Sequence, residues 1–181
     1  MRDGSSGRRI QGIAAGSFML LRLLSLLCLL LLSRLSISQQ AGTVTSDVPD
    51  TCPVTLSTAM PFVPPDPYPA QPYAGGHWFG SDGLWIDPPP NGEWRGRREK
   101  MGWWRAGYDW RTKPTPKLKV TGRRLDFQAP PLDVDGPNAV GVSGPPRNYM
   151  MVGLTFPTSG CWEITGHDEN DELTFVVWVA K

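Results

Sequence analysis

The stretch Leu173-Thr174-Phe175-Val176-Val177-Trp178-Val179-Ala180 decides the fold, because a large apolar side chain occupies every second position from Leu173 to Val179. Side chains two residues apart lie on the same face of a β-strand, so this face must be buried. The segment 161–166 shows the same alternation, with Trp162 and Ile164 on one face. The polar residues 167–172 join the two segments. The pattern predicts an antiparallel hairpin with its loop at 167–172.

From Gly75 to this hairpin, short apolar stretches are separated by Gly, Pro, Asn and Asp, and no long helical periodicity is present. Such a pattern is typical of all-β proteins. It predicts a single small Ig-like β-sandwich over residues 75–181. The predicted strands are 83–86, 103–108, 117–121, 149–156, 161–166 and 173–180, with turns at 88–92, 135–138 and 157–160.

The first 38 residues have the three parts of a secretory signal peptide. A basic region with Arg8 and Arg9 is followed by the Leu-rich run 23–32 and by the small residues 36–38. We expect cleavage between Ser38 and Gln39 and a protein that is secreted or held in the periplasm or cell envelope. No stable membrane span is expected after processing.

An uncleaved membrane anchor is the alternative interpretation of this segment. A bilayer core takes about 20 apolar residues to cross, whereas Arg22 and Arg34 lie close to both ends of the Leu-rich run. Met19 is a second possible start, since 19–38 alone would form a compact signal with Arg22 as its charged end.

Removal of the signal changes the charge of the chain. Five of the 18 basic residues and one of the 17 acidic residues lie within 1–38, so the mature chain has a net charge near −3. This charge gives no support to nucleic-acid binding. The 143 mature residues suffice for one domain and are too few for two ordinary ones.

Two cysteines remain in the mature chain, Cys52 near its start and Cys161 near its end. Disulfides persist outside the cytoplasm, so we expect a bridge between them. Its long loop would contribute about 4 to 5 kcal/mol of stability in the chain-entropy model. Two separate thiols are the alternative, while the count and spacing exclude a CxxC redox pair and a cysteine zinc site.

The segment 39–74 precedes the predicted sandwich and has its own composition. Residues 39–50 are polar or small, and 49–72 contain eight prolines, interspersed with Phe62 and Tyr68. Proline lacks the amide proton that helices and sheets use. We therefore predict an extended, Pro-rich arm that lies against the domain. Recognition of this segment by an aromatic groove of a partner is the alternative.

Several segments carry a resemblance to a known group. The chain resembles uncharacterised secreted bacterial proteins that share an FPxxGCWEVTG-like element, which 156–166 match here. The resemblance implies an exported protein and transfers no functional residue. The strand entry Gly160-Cys161-Trp162 is also similar to the penultimate strand of Ig-like bacterial surface domains, which concerns the fold alone. The other matching segments are 51–54, 83–85, 100–105 and 118–126.

Eight tryptophans form the one compositional excess of the chain. Exposed Trp rings bind sugars in secreted sandwiches, and Trp103, Trp104 and Trp110 with Arg105 are the candidate ligand-binding residues. Burial in the core is the alternative for each ring. If 103–108 is a strand, Trp103 and Trp104 must point to opposite faces. The surrounding basic residues could bind an anionic polymer, although a solvated hairpin with Arg stacked on Trp is favoured. They are Arg95, Arg97, Arg98, Lys100, Arg105, Arg111 and Lys113.

No catalytic constellation assembles from the sequence. The chain lacks a G-x-S-x-G elbow and an H-E-x-x-H helix, and two histidines, His77 and His167, offer no transition-metal cluster. The acidic residues 168–172 could hold calcium outside the cell, although a solvated turn is favoured. A carboxylate pair such as Asp133 and Asp135 stays open as a hydrolase alternative.

The sequence therefore predicts a non-enzymatic exported β-sandwich without cofactor or metal. It would bind or pack against an extracellular or envelope protein or glycan. A carbohydrate-binding or cell-wall-binding module is the second hypothesis.

Overall fold

A computed structural model describes residues 47–72, 75–141 and 148–181. The predicted signal peptide, its cleavage site at Ser38 and Gln39, and the polar segment 39–46 lie outside the described residues. Within these residues the chain forms nine β-strands and no helix, so this part of the chain contains no helix that could cross a membrane. The strands are β1 (Phe79–Gly80), β2 (Trp85–Ile86), β3 (Glu93–Arg95), β4 (Arg98–Trp104), β5 (Lys119–Arg124), β6 (Asp133–Gly141), β7 (Asn148–Thr155), β8 (Gly160–Asp168) and β9 (Asp171–Ala180).

The strands form two sheets that pack face to face. The first sheet has the order β1-β2-β4-β7-β6, and the second has the order β3-β9-β8-β5. Strands β2, β4, β7 and β6 occupy the positions of strands A, B, E and D of an immunoglobulin domain, while β9, β8 and β5 occupy those of G, F and C. The prediction of an all-β sandwich is confirmed, and β8 is the penultimate strand, as predicted.

The core lies between the inner faces of the two sheets. In the second sheet Trp162, Ile164, Phe175 and Val177 are at most 1% exposed, so the predicted alternation is confirmed. The first sheet supplies Trp103, whose ring centroid lies 6.0 Å from that of Phe175. Burial of each such side chain contributes about 1.5 to 3 kcal/mol, which makes this layer the main source of stability.

The Pro-rich segment contacts the outer face of the first sheet. Phe62 and Tyr68 pack against a cluster of Trp78, Trp85 and Trp104. The indole Nε1 of Trp78 donates a hydrogen bond to the carbonyl oxygen of Pro69 at 2.8 Å. The segment turns at 57–59 and 66–67 and forms no strand of its own. It therefore covers aromatic side chains that the sheet would otherwise present to water.

The disulfide between Cys52 and Cys161 is present, with the two Cα atoms 5.6 Å apart. Three residues further, Thr55 donates its amide to the carbonyl oxygen of Val176 at 2.8 Å, and its hydroxyl accepts the amide of Val176 at 3.0 Å. The start of the arm thus covers part of β9 that β3 leaves unpaired.

Several strand and turn boundaries predicted from the sequence are wrong. The predicted turn 135–138 lies inside β6, where the register shifts between Asp135 and Asn138. Gly136 has a φ of 103° there, and a bulge on an edge strand tolerates proline at 137. The strand predicted at 103–108 begins at Arg98 and ends at Trp104. Its first half was not predicted because charged side chains that point outward interrupt the apolar pattern there. The hairpin loop is also shorter than 167–172, since only Glu169 and Asn170 separate β8 from β9.

Gly166 provides a test of the core. A Cβ atom at this position would collide with the six-membered ring of Trp103. We expect Gly166→Ala to lower the free energy of unfolding by about 1 to 3 kcal/mol, since the rigid ring has no space to move into. Urea denaturation measures the change.

Gly153→Ala is the matched control. Gly153 is also a strand glycine, but its added Cβ would meet Asp135 at ordinary contact distance. Equal stability of the two variants would contradict the packing described here.

Candidate functional site

The predicted aromatic ligand face does not form. Trp103 is fully buried in the core and Trp104 is only 8% exposed, on the opposite face of β4. The prediction that the two rings point in opposite directions is confirmed. Trp104 stacks on Tyr149, with ring centroids 5.2 Å apart. Only Trp110, at 37%, is accessible, so these three rings offer no shared platform to a sugar.

The predicted basic region also divides into two groups. Arg98 and Lys100 lie on the first half of β4, and Arg105 follows its end. An extended strand rises about 3.3 Å per residue, so Arg98 and Arg105 lie roughly 20 Å apart. Arg105 belongs with Lys113 instead. The two groups cannot act as one patch on a compact ligand.

Arg105 is the centre of an ion-pair cluster between the two sheets. Its Nη1 lies 3.0 Å from Oδ2 of Asp168 and 2.9 Å from Oε2 of Glu169. Lys113 Nζ contacts the other carboxylate oxygen, Oε1 of Glu169, at 2.9 Å. The side chain of Asp168 is only 4% exposed, so this carboxylate needs the guanidinium as its partner. The cluster connects the end of β4 to the β8–β9 turn.

Backbone and tyrosine contacts hold the cluster in place. The hydroxyl of Tyr68 donates to the carbonyl oxygen of Arg105 at 3.0 Å, which ties the arm to this site. The hydroxyl of Tyr108 donates to the carbonyl oxygen of Lys113 at 3.2 Å. Asp109 accepts the amide of Arg111 at 3.0 Å, as in an Asx turn. The loop 105–118 is therefore organised by its own side chains.

A groove opens beside this cluster. It has a volume of about 260 Å³ and is lined by Tyr108, Lys113, Lys117, Met150 and Glu169, among others. A second, more open depression adjoins it, because Pro116, Lys117 and Glu169 line both. Lys119 and His167 extend the second depression along the outer face of β5 and β8.

Lys117 and Lys119 are cations without an ion-pair partner in these two depressions. Leu118 between them is 2% exposed, so both lysines point to solvent. Neither has an ion-pair partner within the described part of the chain, whereas Arg105 and Lys113 are neutralised by carboxylates. The two adjoining depressions together therefore present two unneutralised positive charges to any ligand.

Protonation states in the cluster follow from these contacts. Hydrogen bonds from Lys113 and Arg105 lower the pKa of Glu169 to about 2. Partial burial acts to lower the pKa of Arg105, but its hydrogen bonds to Glu169 and Asp168 outweigh this and raise the pKa. Burial, together with the charges of Asp168 and Asp109, raises the pKa of Tyr108. The lowered pKa of Glu169 and the raised pKa of Arg105 thus keep this pair charged at neutral pH.

This arrangement suits binding better than proton transfer. Asp168 and Glu169 contact the same Nη1 and so lie within about 6 Å of each other, a spacing that glycosidases use. A general acid needs a raised pKa, and that of Glu169 is lowered. The other predicted pair, Asp133 and Asp135, lies exposed on the edge strand β6. Among the described residues no group of three His, Cys, Asp or Glu side chains could hold a metal ion.

Sequence reasoning missed most of this site. It placed Arg105 among aromatic ligand-binding residues and assigned the acidic residues 168–172 to a solvated turn or a calcium loop. The partners Arg105 and Asp168 are 63 positions apart, and no local pattern connects them. The alternation Lys117-Leu118-Lys119 was the available signal for two outward lysines.

Comparisons with protein-family models, curated proteins and solved structures give no match to this chain. The resemblance to secreted bacterial proteins therefore stays a prediction.

The charge cluster predicts a pH dependence of stability. Because folding lowers the pKa of Glu169, its ion pairs stabilise the fold above the ordinary pKa of a glutamate, and this contribution is lost as the pH falls toward about 2. We expect the free energy of unfolding to fall less steeply for Glu169→Gln than for the wild type between about pH 5 and about pH 2. The difference stays small because the carboxylate is exposed. Denaturant titrations across this range measure it.

Glu172→Gln is the control for this experiment. Glu172 belongs to the same hairpin and pairs with His167 instead of Arg105 or Lys113. Parallel pH profiles for the wild type and Glu169→Gln would contradict the described ion pairs.

Proposed function

We propose that this chain is an exported, non-enzymatic β-sandwich that binds an acidic polymer of the cell envelope. The ligand would run from the groove beside Arg105 into the adjoining depression and contact Lys117 and Lys119. The observation that carries the proposal is the pair of unneutralised lysines on both sides of the buried Leu118.

The form of the groove favours binding of a chain over a small molecule. The two depressions adjoin and run from Lys113 to His167, so the binding surface is elongated and open. Lys119 begins β5 and Lys117 lies two residues before it, so in an extended chain their Cα atoms are about 7 Å apart on one face. Two neighbouring cations attract a polymer with repeated negative charges. The overall negative charge of the mature chain would limit unspecific attachment to anions.

Export is part of the same proposal. The disulfide of Cys52 and Cys161 and the lack of a membrane-spanning helix among the described residues are compatible with an extracellular or envelope protein. The signal-like segment 1–38 supports this location. Trp103 and Trp104 cannot contribute to carbohydrate binding, because both rings are buried.

The double variant Lys117→Glu/Lys119→Glu tests the binding surface. Polyphosphate and polygalacturonate are the probes, with dextran as the uncharged reference, and biolayer interferometry measures binding to the immobilised, disulfide-bonded protein. We expect the wild type to bind one or both polyanions at about 0.05 M salt and to lose this binding at about 0.5 M salt, where the screening length is only a few ångströms. The variant should bind at least about tenfold more weakly. The two polyanions separate phosphate from carboxylate recognition.

Arg98→Glu/Lys100→Glu is the matched control, since it changes the net charge by the same amount on exposed positions of β4 in the other sheet. This variant should retain most of the affinity. Equal losses of affinity in both variants would mean that net charge alone determines binding. That result would contradict a defined groove. Absence of polyanion binding by the wild type would refute the proposed function.

A further inference from the structure

The outer face of the first sheet carries exposed charges of both signs. Arg98 and Lys100 lie on β4, and Asp133 and Asp135 lie on β6. They alternate with residues of the core, so their side chains point away from it. None of the four forms an ion pair with any residue that the structure describes. We call these four residues the charged face, and the fold of a single chain makes no use of them.

Strand β7 lies between β4 and β6 and fixes the charges in two rows. Neighbouring strands are about 4.8 Å apart, so the basic and the acidic Cα atoms of one row are roughly 10 Å apart. The charged face therefore has a basic stripe on β4 and an acidic stripe on β6, with a shallow valley along β7. The register gives the rows Arg98–Thr155–Asp133 and Lys100–Gly153–Asp135.

Gly153 lies in this valley, and nothing within one chain requires a glycine there. It is not among the glycines with positive φ. An added Cβ atom would meet Asp135 at ordinary contact distance. A glycine inside a strand weakens the strand and often marks a place where another backbone approaches closely. Gly153 therefore indicates that another chain lies over β7.

From this arrangement we propose that the charged face binds the charged face of a second copy of this chain. A two-fold axis along β7 exchanges the two sides of the valley. The basic stripe of each copy then lies over the acidic stripe of the other, which gives four ion pairs between the copies. The glycines at position 153 meet at the axis, where the absence of side chains lets the two sheets pack about 10 Å apart.

The occupant is a second copy because the charged face is complementary to itself. A wholly acidic or wholly basic partner would be repelled by one of the two stripes. Addition of a strand to the free edge of β6 is disfavoured, since Pro137 and the register shift interrupt that edge. The net charge of the mature chain, near −3, is small enough to cause little overall repulsion between two copies.

The size of the charged face predicts a weak dimer. Three strands of five residues cover roughly 15 by 17 Å, which is well below the about 800 Å² that each partner buries in a stable complex. Exposed ion pairs contribute little each and are screened by salt. We therefore expect a dissociation constant on the order of 0.1 mM at about 0.05 M salt, and self-association at least about tenfold weaker at about 0.5 M salt.

Sedimentation equilibrium of the disulfide-bonded protein, from about 10 µM to about 1 mM, tests the inference. Arg98→Glu/Lys100→Glu makes the charged face wholly acidic, and Asp133→Lys/Asp135→Lys makes it wholly basic. Each variant alone should self-associate at least about tenfold more weakly than the wild type, because like charges then face each other. An equimolar mixture of the two variants should form a heterodimer at least as tightly as the wild type forms its dimer. This rescue also shows that both variants are folded.

Lys117→Glu/Lys119→Glu is the matched control, because it changes the net charge as much as Arg98→Glu/Lys100→Glu does and lies outside the charged face. Alone, it should dimerise like the wild type. Mixed with the wholly basic variant, it should associate more weakly than the wholly acidic variant does, since one of its stripes is repelled. The net charges in the two mixtures are the same, so this difference isolates the charged face.

The inference is overturned if the wild type stays monomeric at about 1 mM in low salt. It is also overturned if the two charge-reversed variants form no heterodimer. Self-association is measured without a polyanion and on the other sheet from Lys119, so its failure and the failure of polyanion binding are separate results.

Discussion

The disulfide between Cys52 and Cys161 is the constraint on which the arrangement of this protein depends. It joins the beginning of the arm to the beginning of β8, across 109 positions of sequence. Closing so long a loop contributes about 4 to 5 kcal/mol in the chain-entropy model. The bridge brings Thr55 to the uncovered part of β9, and it starts the path by which Phe62 and Tyr68 reach the outer tryptophans. Without it, a proline-rich segment with little secondary structure would have to find the sheet against its full conformational entropy.

The hairpin of β8 and β9 is held at both ends. At one end Cys161 carries the disulfide, and its amide binds Asp126. At the other end the carboxylate of Asp168 forms an ion pair with the guanidinium of Arg105, which follows β4 of the other sheet. Strand β5 lies beside this hairpin and carries Lys119 of the proposed polyanion-binding surface.

The sequence predicted the features that depend on local alternation and on cysteine count. The alternation in 173–180 and around Trp162 identified the core of the second sheet, and the two mature cysteines identified the bridge. The bulged strand β6 was missed because Gly136 and Pro137 have the composition of a turn, and only the pairing with β7 makes them part of a strand. The site was missed for a related reason. Arg105 contacts Asp168, and Arg124 contacts Thr158, only because the strands pair. No short stretch of sequence contains both partners of either contact.

Intact-mass spectrometry tests the central claim most directly. The protein is recovered from culture fluid or envelope, its thiols are labelled in denaturant, and its mass is measured under non-reducing conditions. The claim is that this chain is exported, processed and closed by one disulfide. It predicts the mass of a chain that begins at Gln39, less the two hydrogen atoms lost on disulfide formation, with no label attached. A full-length product that is retained in the membrane and carries three labels would contradict it, because the segment 1–38 would then be an anchor and Cys52 and Cys161 would be free thiols along with Cys28.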